Sequence, residues 1–185
     1  MAYYKNQYFS EVPNDFHSQI KINSTTGSEI VTTQNAKDFI RVDSSDDDTI
    51  IGQMITEARI YIENYLTKDI VAKTRTYYLP FANERFNLPF APIASITSVT
   101  VDGSSATYEV KGLDNAIIEL NEFPAQEIKV NYTTSGVDDS LLKQAILRMV
   151  ATFYDNRAEF VSGQTVNEIP MGVKSILSGM KTMYI

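Results

Sequence analysis

The chain has 185 residues, enough for one compact domain with a real core, or for a domain carrying a sub-domain. Its composition is that of a globular protein, and the absence of cysteine excludes disulfides and thiolate chemistry. A formal charge of −7 argues against gripping nucleic acid through its phosphates; no apolar run approaches the roughly 18 residues of a membrane span, and the N-terminus has no apolar signal-peptide core.

Residues 1–34 are rich in Tyr, Asn, Ser and Thr and show no helical period. They read as an N-terminal arm, with Ile20–Ile22 and Glu29–Thr32 pairing as a short hairpin across the turn-forming Ser24–Gly27. Tyr3, Tyr4, Tyr8, Phe9 and Phe16 are too aromatic for a purely solvated tail, so the arm is expected to order against an adjacent subunit or another protein. Ala36–Arg41 makes a short helix with Asn35 at its cap. The acidic run Asp43–Asp48 lacks the alternate oxygens, Gly and distant Glu of a calcium loop, and reads as a helix start. The helix it opens runs to Leu66, with Ile51, Met54, Ile55, Ala58, Ile62, Tyr65 and Leu66 on one face; Glu63 falls outside that face and Ile60 points away.

From Ile70 the period changes to two. Strands are expected at Val71–Pro80, Arg85–Leu88, Ile96–Val101, Thr107–Val110, Ile117–Leu120 and Glu127–Tyr132, with Asp102-Gly103 as a hairpin turn. The spacing favours an antiparallel meander, Thr107–Val110 returning from that turn. Then comes the central helix, Asp138–Arg157, uninterrupted by Pro or Gly. Leu142, Ala145, Ile146, Met149, Val150 and Phe153 form its apolar stripe, and Leu141, Leu147 and Tyr154 widen it beyond what one packing partner needs. A short helix, Val173–Leu177, ends at Gly179.

These elements make an α+β fold. Residues 35–69 and 137–185 supply a helical core of about four helices, and a small antiparallel sheet (70–136) is inserted between the second helix and the central one. Catalytic signatures are missing. The one histidine, His17, lies in the arm; a zinc site lacks ligands; no phosphate-binding glycine motif exists. No catalytic, cofactor-binding or metal residue is assigned.

AKDFIRVD, ITEARIYIENYL, LPFAPIASITSVTVDG, LLKQAILRMVATFYDNRAE and IPMGVKSILSGM, in that order, resemble the long-tailed bacteriophage head–tail connector (adaptor) family over about residues 34–181. Tyr154, Asn156 and Arg157 match the signature closing its central helix, with Asp155 in place of Glu. Pro170, Gly172 and Val173 match its closing motif, and Lys181 stands where Arg is frequent. The resemblance implies a virion protein at the head–tail junction, assembled in host cytoplasm: a ring of about a dozen copies bound to the portal protein and to neck, stopper or tail proteins. DNA would pass through its channel without tight binding, and neither catalysis nor a cofactor is implied. Rival readings are another neck or tail component (stopper or tail terminator), or a small cytosolic enzyme or ligand-binding module. Past Gly179 the chain has no residues left for a local core, yet Met180, Met183, Tyr184 and Ile185 are apolar, so this tail is expected to meet the portal.

Overall fold

The computed structural model describes residues 17–156 and 171–181. They divide into two compact units, one of residues 17–24, 74–88 and 93–133, the other of residues 25–73, 89–92, 134–156 and 171–181. Helices and antiparallel strands occur in comparable amounts, an α+β fold.

The helical unit contains α1 (Thr33–Ile40), α2 (Asp48–Leu66), α3 (Ser140–Asp155) and α4 (Met171–Met180). Thr32, not Asn35, caps α1: its hydroxyl accepts from the Asn35 N–H. Asp139 caps α3, its carboxylate accepting from the Leu141 N–H at 2.7 Å. The core is built from Ile51, Ile55, Ala58 and Ile62 of α2, Leu142, Ile146, Met149 and Val150 of α3, and Val173 and Leu177 of α4. Each such side chain, removed from water, stabilises the unit by about 1.5–3 kcal/mol. The central helix α3 packs against α1, α2 and α4, which is why its apolar surface is so broad. Ile60 points outward, 45% exposed. The last helix does not stop at Gly179 but carries through it to Met180.

The other unit holds the body of β1 (Gln19–Thr25), β2 (Lys73–Ala82), β3 (Arg85–Asn87), β4 (Ile93–Val101), β5 (Ser104–Ser105), β6 (Tyr108–Lys111), β7 (Ile117–Leu120) and β8 (Ala125–Thr134). One sheet has the order β1-β2-β8-β4-β5, a second the order β3-β7-β6. The expected meander is corrected in two ways. The return from the Asp102-Gly103 turn is β5, pairing Thr100 with Ser105, while β6 crosses to β7. The last strand, β8, sits in the interior of the first sheet because it is the most apolar on its inward face: Ile128, Val130 and Tyr132 are fully buried. The turn itself is as expected, Asp102 and Gly103 both taking positive φ (50° and 79°). The arm hairpin is also corrected. β1 hydrogen-bonds along β2, and Thr32 is committed to capping α1, so residues 29–32 form no strand.

No helix among the described residues is long and apolar enough to cross a membrane.

Candidate functional site

Three features of the helical unit and one of the sheet unit stand out. The first is a join between the end of α3 and the start of α2. Tyr154 reaches the Asp47 carboxylate, its hydroxyl donating to Oδ2 at 2.8 Å. Asp47 occupies the N-cap position of α2 but makes no side-chain cap bond there. Beside it Asp48 pairs with Lys37 of α1 at 2.8 Å. The acidic run therefore anchors neighbouring helices to the first turn of α2, where negative charge also suits the helix dipole. Asn156 caps α3, its backbone N–H and its side-chain Nδ2 both donating to the Thr152 carbonyl. Gly172 lies where a Cβ would come within 2.9 Å of the Arg148 guanidinium, and Val173 is fully buried in the core. Of the signature residues, Arg157 and Pro170 lie outside the described residues.

The second is a buried ionic junction that sequence reasoning missed. Glu63 is 2% exposed, not on an outer face as its position on α2 suggested. Its Oε2 accepts from Arg59 Nη1 (2.8 Å) and Lys73 Nζ (2.5 Å), and its Oε1 from the backbone N–H groups of Ile70 and Val71. Lys73 also bonds Asp69 (3.0 Å), Asp69 accepts from the Thr134 hydroxyl (2.8 Å), and Arg59 pairs with Glu29 (2.8 Å). The junction fixes the chain where it leaves for β2 and returns from β8. Gly136, at φ 73°, passes so close that a Cβ would stand 2.8 Å from the Ile70 carbonyl oxygen. The i,i+4 spacing of Arg59 and Glu63 was the one readable signal.

The third is a groove of about 590 Å³ lined by α1 and α3 residues with Ile30 and Val31; Phe39, 45% exposed, and Leu147 form part of its apolar wall, and Asp38 and Lys143 its polar one. At the end of α4, Met180 is partly buried against the core, and the Lys181 ammonium lies 5.1 Å from the centroid of the Tyr65 ring. Met180 is thus at least partly a core residue, whereas Met183, Tyr184 and Ile185, and the arm residues Tyr3, Tyr4, Tyr8, Phe9 and Phe16, lie outside the described residues.

In the sheet unit, a smaller groove of about 340 Å³ runs beside the first half of β4, with Tyr108 and Val110 of β6 on its far wall. Next to Val110, Glu109 is held below the ordinary carboxylate range, chiefly by the hydrogen bond from Lys111 and then by its charge; Lys111 is raised by the same pairing. Tyr78 is raised above its ordinary value, mainly by donating to the Glu127 carboxylate at 2.7 Å. These groups are exposed and tune no buried chemistry. Among the described residues no three His, Asp or Glu side chains stand close enough to share a metal ion.

A family model described as head completion protein matches residues 29–180. The fold is similar to chains in three solved particles. One is the neck of an empty gene transfer agent particle computed with C6 symmetry, at TM-score 0.66 and 18% identity, covering 90% of this chain and 97% of that one. Another is the virion of a native gene transfer agent, at TM-score 0.68 and 15% identity, covering 90% and 96%. The third is the neck of a native particle computed with C12 symmetry, at TM-score 0.59 and 16% identity, covering 88% and 97%. No curated protein matches the sequence. The family model spans all four helices and seven of the eight strands, every element but β1: the chain belongs to the head completion protein family.

Proposed function

We propose that the chain is a structural virion protein, the head–tail connector subunit that forms a ring around the DNA channel between the portal and the neck or tail. The observation that carries this reading is the family match over residues 29–180, supported by a fold like that of chains in neck particles computed with six- and twelve-fold symmetry. The role is assembly, not catalysis. The buried charges of Arg59, Glu63, Asp69 and Lys73 pair with one another.

On this reading Tyr154, Asn156, Gly172 and Val173 hold the helical unit in shape, and the surfaces that meet partners are those left unfilled. The groove beside Phe39 takes a partner's apolar side chains. The tail beyond Lys181, with Met183, Tyr184 and Ile185, contacts the portal, and the aromatic arm (Tyr3, Tyr4, Tyr8, Phe9, Phe16) crosses to an adjacent copy or a neck protein. The acidic chain, −7 overall, lines a channel past which DNA moves without sticking, since net negative charge opposes a grip on the phosphates. Producing particles without this chain tests the role. Filled heads and free tails that fail to join are expected; normally joined particles would refute it.

A further inference from the structure

The first sheet has two ends, and they are complementary. At one end β1 is an edge strand, hydrogen-bonded among the described strands only to β2. All seven of its residues are exposed, including Ile20 (39%) and Ile22 (49%), which alternate onto one side. Natural edge strands are usually short, charged, bulged or broken by proline. This one is seven residues long, has one charge, Lys21, and has no proline.

At the other end β5 is only two residues long and covers only Thr100 and Val101 of β4. Between Ile93 and Val99, β4 pairs with no strand on that side among the described residues. The Val99 carbonyl accepts from Ala106 and the Ile93 N–H donates to Asp114, so the odd-numbered backbone groups face outward toward β5's side. Ser95 and Thr97 fall in the same phase, beyond the reach of β5, and their N–H and C=O groups have no partner there among the described residues. The groove of about 340 Å³ lies along this open stretch, between it and β6, itself the edge of the second sheet. Ile96 and the half-exposed Tyr108 and Val110 give it apolar walls.

We infer that β1 of one copy enters this groove in the next copy, adding a strand to β4 and burying Ile20 and Ile22 against Ile96, Tyr108 and Val110. Extended-strand addition supplies main-chain hydrogen bonds for affinity and side-chain pockets for register. Seven residues of β1 are enough to span the five open residues from Ala94 to Ser98. Residues 93–101 carry no charge and β1 only Lys21, and the charges flanking Val110, Glu109 and Lys111, are paired with one another. Because the donor and acceptor are opposite ends of one sheet, the contact is head-to-tail, the kind that propagates from copy to copy and forms a ring where the rotation between copies closes. The inference rests on the ring reading above and specifies its joint. β1 precedes the residues matched by the family model.

The chain has no cysteine, which makes cross-linking clean. Ile22→Cys and Thr97→Cys, placed in one chain and treated in assembled particles with a short bismaleimide that tolerates a small register shift, should give a ladder of multimers reaching ring size. A mixture of the two single variants should give dimers only. Separately, Thr97→Pro removes an outward N–H that no strand of the same copy uses, and Ile20→Asp with Ile22→Asp changes residues already exposed. Both should keep the wild-type melting temperature and lose ring incorporation. Rings that form without the ladder, a cross-link confined to single chains, or normal incorporation of both variants would overturn the joint while leaving the ring standing. A wild-type chain found in no ring at all would remove both.

Discussion

The Tyr154 hydroxyl donates to Asp47 at 2.8 Å, joining residues 107 positions apart, the last turn of α3 and the residue that opens α2. The contact gives a signature tyrosine a structural task at a half-buried site. Tyr154→Phe keeps the ring and removes only the hydroxyl. It is expected to cost about 1 kcal/mol, the net worth of one such bond, and to lower the thermal midpoint by a few degrees. An unchanged midpoint would show that the bond carries nothing.

The sequence made the helices legible because their signals are local. The stripe from Leu142 to Val150 and the Ile51–Ile62 face are each read within one element, and Asp102-Gly103 announces its own turn. What it concealed was long-range. Nothing near Ala125–Thr134 says that this strand lies between β2 and β4, since that order follows from which inward faces bury most completely. Ile20–Ile22 was recognisable as strand, but its partner was not, because Thr32 competes for the neighbouring segment as a helix cap. Glu63 looked solvated because the groups that bury it, Lys73, Ile70 and Val71, come from beyond the end of α2. Of the candidate interaction residues, the groove beside Phe39 depends on the approach of α1 to α3, which periodicity within either helix does not encode.

The ionic junction should be the most sensitive polar feature of the helical unit. Lys73, 3% exposed, pairs with both Glu63 and Asp69, so Lys73→Met removes a cation shared by two buried carboxylates, of which Glu63 keeps Arg59. The expected loss is about 3–5 kcal/mol, the usual result of removing one member of a buried pair. Urea unfolding measures it; a loss under about 1 kcal/mol would mean that water or Arg59 replaces the ammonium at little cost.

The groove beside Phe39 separates folding from assembly. Phe39 is 45% exposed and contributes little to the core, so Phe39→Asp should leave the melting temperature near wild type. Incorporation into particles should fall sharply if an apolar partner fills the groove. Full incorporation of the variant would exclude this surface as a contact.

Tail and core can be separated at Lys181. Met180 packs partly on the core and Lys181 lies over Tyr65, so a cut before Met180 should lower stability as well as function. A chain ending at Lys181, which lacks Met183, Tyr184 and Ile185, should keep its helix content and melting temperature and lose binding to purified portal. Equal portal binding by this shorter chain would rule out the tail as the anchor.

The central claim is position: this chain forms a ring at the head–tail junction. Electron microscopy of complete particles, with density resolved at the neck, tests it most directly. The account predicts a closed ring of copies of this α+β subunit between portal and tail, coaxial with the DNA channel. Absence of the chain from that density, or its presence there as isolated copies outside any ring, would contradict it.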